Sequence, residues 1–373
     1  MSLNPHPVGF DYLRIGLACS IVAYHSVTLQ RGPDFYFVVL NSPFRPFATI
    51  LLFLFFALSG FLVAGSLFRN KITTFLSLRA LRIFPALAVE VILSALFLGP
   101  IFTSFDLHKY FFSGTFFRYL FNMVGYVHFQ LPGVFLDNPY PKMVNEQLWT
   151  VPYELECYVA IAVLFVFGFV KRRLLLILAC ALYAAAKTTN SLLFVHDQSL
   201  FDGRALVMCF LVGASIYTFR DKISLSTKTF ALMVILSLVF LSRTETFYLA
   251  AFTVGYCTVF IGLANFKRLS IMEMGDYSYG LYLFGYPIQQ AIASFPVMRH
   301  WWINLPLALS LGLLYAAFSW NCVEKPIMKR KKKLVSWVDE FSEKVEKKYS
   351  NLPITIWANA SLISLREDMS KSR

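Results

Sequence analysis

The sequence has few charged residues. Only 15% of its 373 residues are charged, whereas 57% are hydrophobic. A soluble domain carries about 25% charged residues and about 45–50% apolar residues. This shortage of charge excludes an ordinary soluble domain and predicts an all-α integral membrane protein that crosses the bilayer many times.

Cysteine is also scarce, and no two cysteines have the spacing of a metal-binding or disulfide motif. The six cysteines fall inside apolar segments, without the spacing of a disulfide framework or a zinc site. We expect them to be small buried hydrophobic side chains, and we predict no metal. A cleavable signal peptide is not expected either. Asp11 and Arg14 stand at the head of the first apolar segment, and no small-residue cleavage site follows it.

What the sequence does contain is ten apolar segments that are long enough, or nearly so, to cross a membrane. They lie at about 11–29, 46–68, 83–105, 148–170, 173–190, 203–219, 228–242, 246–265, 277–296 and 302–323. Residues 110–129 are aromatic but contain Arg118 and Gly114. That stretch is typical of an interfacial or re-entrant piece, so it is not counted as a span.

The basic residues are distributed unevenly between alternate loops. With the amino terminus inside, each inner loop is more basic than the outer loops beside it. This predicts that both termini are cytoplasmic, and it explains the net charge of +13 without a nucleic-acid partner. Residues 1–328 form the predicted membrane domain. Residues 329–373 form a basic amphipathic tail that we expect to lie on the inner leaflet, attracted by anionic membrane lipid.

The first apolar segment carries two ionisable side chains, Arg14 and His25. Eleven residues of α-helix rise about 16 Å in three turns, so both side chains lie on one face. A histidine at that depth is expensive unless it faces protein or water, which makes His25 a functional candidate. The alternative is a histidine that hydrogen-bonds between helices for packing. Arg14 could hold an anionic ligand or developing negative charge, or pair with Asp11.

Arg79 and Arg82 are three residues apart, just before Pro85, where we expect the third span to begin. Two guanidinium groups on one helix face suit a phosphate or pyrophosphate. The competing interpretation is a pair of positive-inside anchors that contact lipid phosphate, and spacing alone does not decide between the two.

The fourth span contains Glu154, Glu156 and Tyr158 in an otherwise apolar stretch. Glu154 is the deeper carboxylate and is a candidate partner for a catalytic histidine. The alternative is an ion pair between Glu154 and an arginine such as Arg14. Ser59 and Gly60, in the second span, indicate close helix packing more than a nucleophile.

Several motifs together resemble acyltransferase family 3, the membrane O-acyltransferases of surface polysaccharides. In order along residues 10–328 these motifs are FDYLRIGLACSIVAYHSV, FFALSGFLV, RALRIFP, LWTVPYELECYV, GDYSYGLYLFGYPIQQ and WNCVEKPI. One departure is Tyr286, preceded by Gly285, where many members have a histidine before the proline of the ninth helix. It argues against a role for a second histidine at that point.

The resemblance implies transfer of an acyl group, most often acetyl, from cytoplasmic acyl-CoA (acetyl-CoA) to a sugar hydroxyl. It assigns His25 as the general base, Arg14 as its essential neighbour, and Arg79 and Arg82 as the contacts of the coenzyme A phosphates. The acceptor it implies is a saccharide, for example of lipopolysaccharide or exopolysaccharide. The setting it implies is the inner membrane, where polysaccharide-assembly proteins could associate with the chain.

A transporter or flippase for a lipid-linked sugar or acyl donor is the competing hypothesis. It also accounts for ten spans and buried charges. It does not account for a histidine, arginine and glutamate set beside an arginine pair suited to phosphate. Broken helices in matching halves of the chain, which are typical of transporters, are not evident in the sequence.

Overall fold

A computed structural model describes residues 7–193, 199–264, 266–267 and 275–331, together with residues 333, 335, 336, 338, 340 and 344. Within these ranges the regular secondary structure is helical, apart from an isolated antiparallel bridge between Thr103 and Val134. The predicted all-α class is confirmed. The amphipathic tail predicted from residue 329 onward lies largely outside the described residues.

The main helices follow the predicted apolar segments. They are α1 (Val8–Arg31), α2 (Arg45–Leu67), α3 (Ile72–Leu93), α4 (Val151–Val166), α5 (Arg173–Leu193), α6 (Gly203–Thr218), α7 (Thr227–Leu241), α8 (Phe247–Gly262), α9 (Ser278–Ala293) and α10 (Trp301–Ser319). A π-helical turn and the short helix Gly99–Phe102 prolong α3, a 3₁₀ turn (Glu146–Thr150) precedes α4, and a second π-helical turn and Lys325–Lys329 prolong α10.

Seven helices of the described chain are long and apolar enough to cross a membrane. The apolar helices α6 and α7 are shorter, and α9 has 16 residues. The structure therefore supports a multi-pass membrane protein, while the count of ten spans stays a prediction. Residues 107–124 form only the short helices Leu107–Phe111, Gly114–Leu120 and Phe121–Val124. The interpretation that this stretch is not a span is confirmed.

Two sequence predictions need correction. Helix α3 begins at Ile72, so Arg79 and Arg82 lie inside it, and Pro85 is an interior residue of the helix rather than its start. A proline inside a membrane helix is tolerated because neighbouring helices and local adjustments satisfy the freed backbone groups. The second correction concerns the cysteines, since Cys322 is exposed and Cys19 is only partly buried.

Helices α2 and α6 form the most extensive helix pair. Their backbones approach so closely that a Cβ added to Gly60 would overlap the Phe210 carbonyl, and one added to Gly213 would overlap the Ala57 carbonyl. Small residues allow such close approach, and dispersion contacts then hold the helices together. The packing role predicted for Gly60 is confirmed.

Helix α1 is held against α9 and α10 by buried polar side chains. Gln289 donates to the Val22 carbonyl at 2.7 Å and to the Ser26 hydroxyl at 2.6 Å, and Asn304 donates to the Gln289 carbonyl at 3.0 Å. In an apolar medium these groups have no water to replace a lost partner. The bonds therefore set the register of α1, including His25, which immediately precedes Ser26.

The long connection between α3 and α4 is bound to the end of α9. Asn138 donates to the Gln290 carbonyl at 2.8 Å, and Gln290 in turn donates to the Tyr140 carbonyl at 2.8 Å. Arg299 donates to the Asp137 carbonyl, also at 2.8 Å. These bonds place Tyr140 and the start of the Glu146–Thr150 turn next to α1 and α9.

We expect Gly60→Ala to destabilise the protein by about 1–3 kcal/mol, because the new methyl meets a backbone carbonyl that cannot move aside. The matched control is Gly16→Ala in α1, where nothing lies within 4 Å and alanine favours the helix. Thermal unfolding of both variants in detergent micelles measures the difference. Equal melting temperatures for the two variants would contradict the packing described here.

Candidate functional site

Two cavities lie one after the other along the same wall of α1. The first, called the histidine cavity, has a volume of about 110 Å³. Its lining includes Ile21, Tyr24, His25, Thr28, Ala48, Leu51, Leu52, Tyr140, Glu146, Gln147, Trp149, Thr150, Phe201 and Tyr282. The second, called the arginine cavity, has a volume of about 80 Å³. It is lined by Arg14, Phe55, Leu58, Ser59, Leu62, Val63, Arg79, Arg82, Ile83, Glu154, Tyr158, Ser278 and Tyr279.

The same helices supply most of the lining of both cavities, through different residues. Residues of α1, α2, α9 and the 146–158 segment line both of them, and α3 adds the two arginines of the second. Arg14 and His25 thus face the same run of cavities, as the helical spacing predicts. About 16 Å of helix rise separates their positions along α1.

His25 faces the histidine cavity between two aromatic rings. The ring of Tyr286 is perpendicular to the imidazole, with 5.0 Å between the centroids, and the Tyr24 ring is perpendicular at 5.6 Å. The Nδ1 atom of His25 is buried and has no hydrogen-bond partner in the described part of the chain. Tyr286 therefore packs against His25. It occupies the position at which the family that the motifs resemble often has a histidine.

A carboxylate that sequence analysis did not single out lines the same cavity as His25. Glu146 begins the 3₁₀ turn before α4, and Tyr140 donates to its Oε1 at 2.9 Å. From the sequence, Glu154 is the favoured partner of a catalytic histidine because it lies deeper in the apolar segment. Glu146 reaches the cavity because the connection before α4 folds back over α9. The signal in the sequence was an acidic residue two positions before the motif that contains Trp149.

An ion-pair chain joins four helical elements at the arginine cavity. The Nη1 of Arg14 lies 2.8 Å from Asp276 Oδ2, and the Nη2 of Arg82 lies 2.6 Å from that same oxygen. The other terminal nitrogen of Arg82 lies 2.5 Å from Glu324 Oε2, and Ser319 donates to Glu324 Oε1 at 3.1 Å. Asp276 and Glu324 lie in two motifs quoted for the family resemblance, although neither was selected as a site residue.

Asp276 precedes α9, and its environment favours the ionised form. Burial opposes ionisation, but the guanidinium of Arg82, followed by that of Arg14, outweighs it and holds the pKa of Asp276 well below its usual range. The Ser278 hydroxyl also donates to this carboxylate, at 2.5 Å. Asp276 is therefore a charged link between α1 and α3.

Arg79 differs from its neighbour Arg82. Its guanidinium lies 6.0 Å from the centroid of the Tyr158 ring, and its Nε is buried without a hydrogen-bond partner among the described residues. Arg82 has carboxylates on both terminal nitrogens, whereas no ion pair of Arg79 is found within the described ranges. Arg79 is thus the guanidinium of this cavity that has no carboxylate within ion-pair distance among the described residues, although Glu154 lines the same cavity.

Glu154 lies in the arginine cavity, not beside His25. Its carboxylate accepts a hydrogen bond from the Tyr158 hydroxyl, and it lines the cavity together with Arg14, Arg79 and Arg82. The structure consequently brings Glu154 and Arg14 into one cavity and places His25 in the other. Glu156, the second carboxylate of this helix, forms a surface ion pair with Arg204.

The two cavities offer different chemistry. The arginine cavity presents guanidinium groups, which suit an anion, beside the Glu154 carboxylate, and the histidine cavity presents an imidazole with hydroxyl and carboxylate groups nearby. No group of three or more histidine, cysteine, aspartate or glutamate side chains that could hold a metal is found in the described part of the chain.

Comparison with known proteins gives consistent results. The model of acyltransferase family 3, described as an acyltransferase domain, matches residues 8–323. The chain is 25% identical over 336 residues to a protein of Shigella phage Sf6 named O-acetyl transferase, covering 86% of this chain and 96% of the relative. It is 24% identical over 362 residues to Nodulation protein 10 of Rhizobium leguminosarum bv. viciae, covering 89% and 96% respectively. No solved structure matches the chain.

Asp276→Asn should lower the free energy of unfolding at neutral pH by roughly 2–4 kcal/mol, because two guanidinium groups lose their shared carboxylate. The lowered pKa means that this stabilisation is complete above the unfolded value of about 3.9 and is lost as the pH falls toward the folded value. The difference in melting temperature from wild type should therefore stay constant between pH 8 and 5.

The matched control is Asp221→Asn, which removes an exposed carboxylate 3.5 Å from Arg173 and should change stability little. Both variants can be followed by thermal unfolding in detergent micelles at a series of pH values. If wild type and Asp276→Asn already had equal melting temperatures at pH 6, the arginines would not be holding this carboxylate ionised.

Proposed function

The chain belongs to acyltransferase family 3 and is an O-acyltransferase, and we propose that it moves an acyl group from cytoplasmic acyl-CoA to a saccharide hydroxyl. The acyl group in this proposal is acetyl, and the saccharide is part of a surface glycan or is linked to lipid. The observation that carries the proposal is the pair of cavities on one face of α1, one containing arginines and the other containing His25.

The donor enters this scheme from the arginine cavity. Both termini face the cytoplasm of a bacterial inner membrane in the proposed topology, which places the arginine cavity on the cytoplasmic side. Arg79 contacts a coenzyme A phosphate in this scheme, since no carboxylate of the described residues lies within ion-pair distance of it. Arg82 contributes to the positive field and also fixes α3 to Asp276 and Glu324. Direct phosphate binding by Arg82 requires it to release one of these carboxylates.

The transfer step takes place at the histidine cavity. His25 accepts the proton of the acceptor hydroxyl while the hydroxyl oxygen attacks the thioester carbonyl carbon. The carbon–sulfur bond then breaks, and the coenzyme A thiolate leaves with the proton returned by His25. Glu146 and Tyr140 line this cavity and supply polar groups that orient the sugar.

Arg14 and Glu154 have supporting roles in this scheme. Arg14 binds Asp276 and so anchors the end of α1 remote from His25, which holds the histidine in register. Glu154 accepts a hydrogen bond from the Tyr158 hydroxyl and so fixes the Tyr158 ring. The guanidinium of Arg79 lies over that ring, so Glu154 helps to position Arg79. The saccharide and anionic membrane lipid are the proposed partners, with polysaccharide-assembly proteins as further ones.

The test of this function is proton NMR of surface glycans from a deletion strain complemented with wild type or His25→Ala at equal membrane abundance. We expect O-acetyl signals to disappear in the deletion and to return only with wild type, because loss of a general base costs about 10²–10⁴-fold in rate. The matched control is His108→Ala, a histidine that lines neither cavity.

Full restoration by His25→Ala would refute the assigned base and would direct attention to Glu146. An unchanged acylation pattern in the deletion strain itself would contradict the acyltransfer proposal. It would leave transport of a lipid-linked sugar as the better account of the chain's function.

The two arginines of α3 should respond differently to substitution. Arg79→Gln should raise the KM for acetyl-CoA about 10- to 100-fold with little loss of stability, because a charge-assisted bond to phosphate contributes about 1.5–3 kcal/mol. Arg82→Gln should lower the melting temperature as well, because Asp276 and Glu324 both lose a partner. The control is Arg220→Gln at the end of α6. Equal KM values for wild type and Arg79→Gln would exclude Arg79 from phosphate binding.

A further inference from the structure

We propose that the rings of Phe55 and Tyr282 form an aperture between the arginine cavity and the histidine cavity, and that this aperture limits the length of the acyl group. The inference rests on the proposed function, because it assumes a donor held at the arginines and a reaction at His25. It adds two residues that set donor specificity.

The first observation is the position of the two rings. Phe55 of α2 lines the arginine cavity, and Tyr282 of α9 lines the histidine cavity. The rings stack on each other, with 6.0 Å between their centroids and 20° between their planes. Since each ring belongs to a different cavity and the two are in contact, together they form part of the partition between the cavities.

The second observation is that one side of the partition is fixed. The Tyr282 hydroxyl donates to the Gln147 carbonyl at 2.6 Å and lies 2.5 Å from the Thr150 hydroxyl. Gln147 in turn donates to the Leu283 carbonyl at 2.5 Å. All of these polar groups are buried, so rotating the Tyr282 ring away costs hydrogen bonds that nothing nearby replaces.

The other side of the partition has no such restraint. Phe55 carries no polar atom on its side chain and is only partly buried. Its ring can change rotamer without breaking a hydrogen bond, and the change costs apolar contacts only, with Tyr282, Phe56 and the neighbouring apolar side chains. We therefore assign Phe55 as the part of the aperture that moves and Tyr282 as the part that stays in place.

The size of the cavity beyond the aperture gives the length limit. The histidine cavity, at about 110 Å³, has to contain both the acyl group and the acceptor hydroxyl. An acetyl group adds a single methyl beyond the thioester carbonyl, whereas a longer chain has to fit in this cavity or remain between the two rings.

The experiment measures donor preference with the full-length protein in proteoliposomes. Acetyl-, butyryl- and hexanoyl-CoA are compared as donors, with a panel of octyl glycosides as acceptors. For Phe55→Ala we expect the ratio of hexanoyl to acetyl transfer to rise at least 10-fold. Phe55→Leu keeps most of the apolar volume of α2 and should give a smaller rise in the same direction. Tyr282→Phe keeps the ring but removes its hydroxyl bonds, and it should also raise the ratio.

The matched control is Phe61→Ala on the same helix. Phe61 is buried and stacks on Phe10 at 5.2 Å, but it lines neither cavity. We expect its donor ratio to equal that of wild type, whatever its effect on overall activity. An equal loss of activity with all three donors in both Phe55 variants would overturn the aperture and leave the acyltransfer function intact. Absence of transfer by wild type from every donor would overturn the proposed function, and the aperture with it.

Discussion

The arrangement of the whole site depends on one constraint, which is that charge in an apolar medium has to be paired. Arg82 lies inside a membrane helix and contacts Asp276 and Glu324 with its two terminal nitrogens, at 2.6 and 2.5 Å. Asp276 also holds Arg14 of α1. Removing any member leaves a largely buried charge without its partner, a larger loss than that of a surface ion pair. These contacts join α1, α3, α9 and the extension of α10, and they thereby form the walls of the arginine cavity.

Helix α1 connects this charged cavity with the histidine cavity. Its two ionisable side chains face one run of cavities because eleven residues complete three helical turns. Asp276 holds the helix at Arg14, and Gln289 holds it beside His25 through Val22 and Ser26. A helix fixed near both residues keeps Arg14 and His25 at a constant separation, which is what the proposed transfer between the two cavities requires.

Much of the fold was predictable because it follows from local composition. The ten apolar segments coincide closely with helices α1 to α10, and the shared face of Arg14 and His25 follows from helical geometry. The start of α3 was missed by about ten residues. Polar and basic residues interrupt the apolar pattern of its first three turns, and Pro85 resembles the proline that often opens a helix. The exposure of Cys322 was missed for a related reason, since an apolar segment does not reveal which of its faces meets a neighbour.

What the sequence determined by itself was the all-helical class, the candidate site residues of α1 and α3, and the family resemblance, because these depend on residue type and short-range spacing. The tertiary structure decided how those residues are grouped. It placed Glu154 with the arginines and Glu146 with His25, and among the described residues it gave two ion-pair partners to Arg82 and none to Arg79. These groupings join residues that lie far apart in the chain, from 72 positions for Arg82 and Glu154 to 262 positions for Arg14 and Asp276. No local pattern encodes such pairs, because they form only when helices pack and each buried polar group must find a partner.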